Sequence, residues 1–111
     1  MRPNGLIIVP HLYTNKSIAK IANFALEKRL PSLFPRKQYV EVGGLMSYDA
    51  NREKMWQRTA VYVDKILKGA NPATLPVEPP QLELMLNLKT AEKIGVTIPP
   101  EILLEASEVI R

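Results

Sequence analysis

The chain has no cysteine, a single histidine and few aromatic residues, 6% of its 111 positions. Without cysteine there is no disulfide and no thiolate metal site, although the compartment stays open. His11 alone cannot build a zinc site unless carboxylates stand beside it, and no metal or cofactor is expected. No apolar run is long enough to span a bilayer. The run Leu6–Val9 follows a basic Arg2, but it is too short for the core of a secretion signal and runs into Pro10. Read as it stands, the chain stays where it is made. Charge of one sign is not concentrated either. The formal charge is +4 and the pI about 9.5, yet Lys and Arg alternate with Glu and Asp as on a solvated surface. Both the basic patch and the motif of a nucleic-acid binder are missing, so no nucleic-acid partner is expected.

What is present is a globular composition. Hydrophobic residues make up 46% and charged residues 23% of the chain, which argues against disorder. The length allows one domain or a piece of one. Ten prolines sit mostly where elements should end. Leu6-Ile7-Ile8-Val9, bounded by Asn4-Gly5 and Pro10, fits a strand buried on both faces, as in a parallel sheet. A loop His11–Thr14 follows, and Asn15 or Ser17 is placed to cap the next helix. In that helix Ile18, Ile21, Ala22, Ala25 and Leu26 fall on one stripe, and Leu30-Pro31 stops it. Ser32-Leu33-Phe34 reads as a short strand. Strand, helix and strand make one βαβ unit with parallel strands.

Arg36–Gln38 reads as a basic loop and Tyr39–Val42 as a strand or one helical turn. Gly43-Gly44 permits a bend that a side chain would hinder, and Leu45–Tyr48 is extended again. Asp49 or Asn51 caps a second helix. Its stripe is Met55, Thr59, Val63, Ile66 and Leu67, widened by Trp56, Ala60 and Tyr62, which calls for a sheet or a second surface to cover it. Gly69 is suited to end it. Pro72, Pro76, Pro79 and Pro80 mark an extended connection. Leu82–Leu88 alternates as a half-buried strand with Leu82, Leu84, Leu86 and Leu88 on one face. Thr90 is placed to cap a short helix through Ile94, stopped by Gly95. Pro99-Pro100 opens a last helix in which Ile102, Leu103, Ala106, Val109 and Ile110 dock one face.

Ligands of open parallel sheets bind beyond the carboxyl ends of the strands. That rule selects His11–Asn15, beside a helix N-terminus whose free N–H groups suit a carboxylate or phosphate. Tyr13 would pack on a ligand, and Thr14, Asn15 or His11 would hydrogen-bond it. The same residues also read as plain loop and cap residues. Ser47-Tyr48-Asp49 is the second candidate. Tyr48 joins a flat apolar face to a hydroxyl, or it simply packs on the second helix, with Asp49 as a cap. Trp56 reads as core or interface. Enzyme chemistry finds no support. Gly43-Gly44 has no Lys-Ser/Thr after it, Glu53 and Asp64 lie about three helical turns apart, and no serine sits in a nucleophile-elbow pattern.

With the elements placed, the sequence resembles the C-terminal part of ABC-transporter substrate-binding proteins of the tryptophan- or tyrosine-binding-like group. The resemblance rests on Gly43-Gly44-Leu45-Met46-Ser47-Tyr48 and on Tyr62-Val63-Asp64-Lys65-Ile66-Leu67-Lys68-Gly69-Ala70. Pro72-Ala73, Leu75-Pro76-Val77-Glu78, Leu86-Asn87-Leu88-Lys89-Thr90-Ala91 and Ile98-Pro99-Pro100 continue it. It covers nearly the whole chain from Gly5. It implies the α/β class, as the C-terminal part of a type I periplasmic-binding-protein fold: a Rossmann-like βαβ unit, a lobe-crossing segment and a helix. Residues 1–38 would be the βαβ of the C-terminal lobe. Residues 39–80 would cross into the N-terminal lobe and supply its helix, and 81–111 would return. It further implies a small-molecule solute, with an aromatic amino acid as the option the group's name suggests, an ABC permease as partner, a periplasmic or extracytoplasmic location, and no catalysis. His11, Tyr13 and Thr14 after the first strand, and Ser47 and Tyr48 in the crossing, would face the solute. The chain departs from the family pattern at His11-Leu12 and at Asp49-Ala50, so the solute's identity does not carry over. The rival reading is a free-standing α/β interaction protein that self-associates as a homodimer through exposed apolar surface.

Overall fold

The computed structural model describes residues 3–111; the basic start at Arg2 lies outside them. Five strands form one sheet in chain order: β1 (Leu6–Ile7), β2 (Ser32–Phe34), β3 (Met46–Ala50), β4 (Leu82–Asn87) and β5 (Glu108–Ile110). The first three are mutually parallel, with Ile7 level with Leu33 and Leu33 level with Met46. The last two are parallel to each other. The helices are α1 (Leu12–Lys16), α2 (Ile18–Glu27), α3 (Lys37–Glu41), α4 (Arg52–Leu67), α5 (Leu88–Ile94) and α6 (Pro100–Glu105). The chain divides into two compact units. One runs up to Asp49 and resumes at Glu83–Arg111; the other is Ala50–Leu82.

The first unit holds the core. Its β1–α2–β2 path is the parallel βαβ unit that the sequence pattern describes. Phe34 and Tyr39 stack with ring centroids 4.7 Å apart and planes 9° from parallel, and Ala25, Leu6, Ile8, Ile18 and Ile21 close around them. A second cluster joins Leu45, Ala91 and Ile94 to Leu26, Met46, Val96 and Ile98. Helix α2 therefore serves both clusters from neighbouring positions, Ala25 and Leu26. It ends through a left-handed residue, Arg29 at φ 52°, with Leu30 N–H donating to Ala25 C=O.

The two glycines before β3 answer two different demands. Gly43 has φ +115°, where a side chain is strained but nothing stands in the way. Gly44 is the reverse case: a Cβ there would lie 2.5 Å from Cε2 of Phe34 and 2.8 Å from Tyr39 C=O. Asn87 then ties the bend to the end of β4. Its N–H donates to Leu45 C=O at 2.8 Å, its Nδ2 to Val40 C=O at 3.2 Å, and its Oδ1 accepts the Thr90 N–H at 3.1 Å as the cap of α5. Thr90 Oγ1 donates to Gly43 C=O at 2.9 Å.

Several local readings change. The apolar run at the start is not buried on both faces: Ile7 and Val9 are 72% and 71% exposed. It forms the edge strand, and no described element covers that face. His11–Thr14 is not a loop but the cap and first turn of α1, with His11 as its cap, while Ser17 holds the N-cap position of α2 without a side-chain bond to it. Tyr39–Val42 takes the helical alternative. Asn51, not Asp49, caps α4 through a 2.9 Å bond from Lys54 N–H, and Gly69 at φ +106° ends the helix as expected. The wide stripe of α4 buries no residue. Strand β4 stops at Asn87, and Met85, Leu86 and Asn87 are all buried, because β3 and β5 flank it. Asn87, not Thr90, caps α5, and Gly95 in the left-handed region stops it. The last helix ends at Glu105, and Val109 and Ile110 belong to β5. An open ladder beside β4, entered through Ser107 N–H to Leu84 C=O, wins over helical spacing for these β-branched residues.

Candidate functional site

Strand β1 delivers the chain through Val9-Pro10 to His11, whose backbone is extended. Its Nδ1 accepts the Tyr13 N–H at 3.2 Å, and Thr14 Oγ1 accepts the His11 N–H at 3.0 Å. The Thr14 hydroxyl donates to His11 C=O at 2.8 Å. The threonine side chain is thus committed to its own turn. With Nδ1 accepting, a neutral His11 carries its proton on Nε2. The His11 and Tyr13 rings stack at 5.4 Å and 15°, and Tyr13 is 75% exposed. The expected free N–H groups are partly used, because Tyr13 N–H is taken by the cap. Tyr39, fully buried, reaches across to donate its hydroxyl to Thr14 C=O at 2.8 Å, which fixes the turn against the core. On the same turn Asn15 Oδ1 is enclosed without a hydrogen-bond partner, a cost of about 1–3 kcal/mol.

Strand β3 presents the second stretch. Ser47 is level with Phe34 and only 2% exposed, so it lies on the covered face; Tyr48, one step on, is 54% exposed. The structure places His11, Tyr13 and Thr14 beyond the carboxyl end of β1, and Tyr48 near that of β3. Two strand spacings, about 10 Å, separate β1 from β3. Between them, beyond the end of β2, lies Arg36, the half-buried residue before α3. Sequence reasoning passed over Arg36 as part of a basic loop. The carboxyl-end rule, applied to the second strand as it was to the first, singles it out. Among the described residues, no three of His, Cys, Asp and Glu gather as metal ligands, and no helix is long and apolar enough to cross a membrane.

A Rossmann-like βαβ unit followed by strands that leave for a second unit and return defines an α/β binding-protein architecture. The profile of the family described as ABC transporter substrate binding protein matches residues 4–110, and the chain belongs to that family. Solved structures agree. An ABC domain in complex with L-Trp from Streptococcus pneumonia superposes with a TM-score of 0.79 at 27% identity, covering 96% of this chain and 37% of that one. A conserved domain protein from Vibrio cholerae gives 0.77 at 26%, covering 96% and 36%. The ligand-free, open structure of a substrate binding protein with adhesive properties from Clostridium difficile gives 0.71 at 21%, covering 95% and 36%, a likeness of fold. The chain thus spans little more than a third of these relatives. Curated protein sequences give no match.

Proposed function

We propose that this chain is the C-terminal portion of the solute-binding component of an ABC importer, and that it holds a small organic solute by cleft closure without covalent chemistry. The family match over residues 4–110 carries the reading. In this reading residues 1–38 and the return 81–111 serve the C-terminal lobe, 39–80 enter the other lobe, and the rest of the cleft comes from sequence beyond this chain. The share of the relatives covered, 36–37%, supports only a cleft completed beyond this chain. The protein works outside the cytoplasm and docks on a membrane permease.

The solute class is an aromatic amino acid. The relative that holds L-Trp supports this, as do the exposed rings of Tyr13 and Tyr48 at one end of the sheet. Tyr13, stacked on His11, and Tyr48 offer flat faces, Arg36 a cation for a carboxylate, and His11 Nε2–H a donor. Thr14 and Ser47 shape the site from behind. Isothermal titration of the protein in its longest expressed form with tryptophan, tyrosine, phenylalanine and non-aromatic amino acids tests the proposal. Aromatic solutes should bind, and Tyr48→Ala should weaken them about tenfold or more, in line with a lost stacking face. Failure of every amino acid and related solute to bind would remove the reading. A second reading, self-association of the chain, draws on the exposed Trp56 and Leu67 of α4; a monomer in sedimentation at high concentration refutes it.

A further inference from the structure

Unit Ala50–Leu82 has almost no apolar core, since α4 buries nothing. The chain after its 3₁₀ turn Pro72–Thr74 nevertheless runs back along the helix. Asn51 N–H donates to Gln81 C=O at 3.1 Å, and Lys54 Nζ to Gln81 Oε1 at 3.2 Å. Arg58 grips both oxygens of Glu78, through Nε at 2.8 Å and Nη2 at 2.5 Å. The Tyr62 hydroxyl donates to Pro76 C=O. Helix positions 51, 54, 58 and 62 share one stripe, while their partners descend from 81 through 78 to 76. Pro76, Pro79 and Pro80 lack an N–H, so this stretch cannot be held as a strand or helix. Side chains of α4 hold it instead. A groove of about 550 Å³ stays open between them, lined among others by Met55, Thr59, Pro79 and Pro80. The contact is therefore made of rungs, not of packing.

We propose that residues 76–81 form a latch, closed on α4 by the Arg58–Glu78 pair with Tyr62 as a second hook, which opens as a unit while the helix stays folded. The electrostatics agree with the geometry. The hydrogen bond from Arg58 holds the Glu78 carboxyl below the usual range, and Glu78 raises the Arg58 guanidinium. Arg58 also lies over the Tyr62 ring at 5.7 Å. Closed, the latch leaves only Leu82 between its last rung at Gln81 and Glu83. Open, it frees residues 76–81, which can extend to about 20 Å. The latch thus sets the slack in the path leading to β4. It stands independently of which solute the protein binds.

The chain has no cysteine, so Val77→Cys gives one attachment point for a nitroxide on the strap. Electron paramagnetic resonance on the full chain should show a restricted label in the parent. Arg58→Met and Glu78→Ala should shorten its correlation time about twofold or more, with helical circular dichroism unchanged. The swapped pair Arg58→Glu with Glu78→Arg should restore restriction, and Tyr62→Phe should loosen the label by a smaller step. Equal mobility in all five proteins would overturn the latch. So would loss of helicity in step with label release, because strap and helix would then open together.

Discussion

Gly44→Ala is the sharpest probe of the first unit. The added methyl would lie 2.5 and 2.8 Å from Cε2 and Cδ2 of Phe34, and 2.8 Å from Tyr39 C=O, where carbon contacts prefer about 3.5–4.0 Å. The Phe34 ring would have to retreat by about 1 Å. It has nowhere to go, because it is buried and stacked on Tyr39. Tyr39 in turn is tied to Thr14 C=O. The carbonyl cannot yield either, since Gly44 N–H is bonded to it at 2.7 Å. Overpacking of a closed core costs about 1–3 kcal/mol, against a total stability of about 5–15 kcal/mol for a domain. With a urea slope of about 1–3 kcal/mol per molar, the midpoint should fall by roughly 1 M. Phe34→Leu should recover part of that loss in the double variant, because leucine has no atom at Cε2. It should recover none of the roughly 1–2 kcal/mol lost in Gly43→Ala, where the cost is backbone strain at φ +115°. A urea curve for Gly44→Ala within about 0.5 kcal/mol of the parent, the ordinary range for a neutral surface change, would refute the reasoning.

Three further outcomes can be checked. Asn87→Ala removes a cap and a buried hydrogen bond to Val40 C=O, so unfolding in urea should show a loss of about 2 kcal/mol; a loss below half of that would mean the junction is slack. Tyr39→Phe should cost about 1 kcal/mol through the bond to Thr14 C=O and speed amide exchange of the α1 turn, and unchanged exchange there would free the turn from Tyr39. Glu78 titrates below its ordinary value of 4.5, with the Arg58 hydrogen bond as the main cause. Its contribution to the strap is therefore complete above about pH 4.5 and lost as the pH falls through the lower folded value; carbon-13 titration should show that depressed midpoint, and Arg58→Met should raise it.

The parts of the fold that could be read from the residues are those decided locally. The β1–α2–β2 unit follows from an apolar run, a helical stripe and a proline stop; the Gly43-Gly44 bend and the Gly69 and Gly95 helix ends follow from backbone freedom. What could not be read was decided at a distance. Val109 and Ile110 keep helical spacing with Ile102 and Leu103, but the open ladder of β4 claims them as a strand. Ile7 and Val9 look like interior residues, yet edge position leaves them exposed. At the candidate site the carboxyl-end rule led to the positions beyond β1, while Ser47 and Tyr48 were chosen on the chemistry of Tyr48 and on the family resemblance. That Ser47 turns inward and Tyr48 outward depends on strand register, and that the Thr14 hydroxyl is spent on its own turn depends on the His11 cap. Neither is written in residue type.

The bonds from Asn87 to Val40 and from Thr90 to Gly43 each span 47 residues, with Ala50–Leu82 strung between. A ribosome adds about 5–20 residues per second, so the bend at Gly43-Gly44 waits several seconds for the groups that satisfy its carbonyls. A nascent chain halted at Leu82 would still lack Asn87, Ala91 and Ile94, the last two being two of the three buried members of the Leu45 cluster. The bend therefore closes only after β4 and the start of α5 have been made. A chain halted between the bend and Asn87 would be prone to aggregate, because the apolar strands before the bend would stand without the residues that cover them.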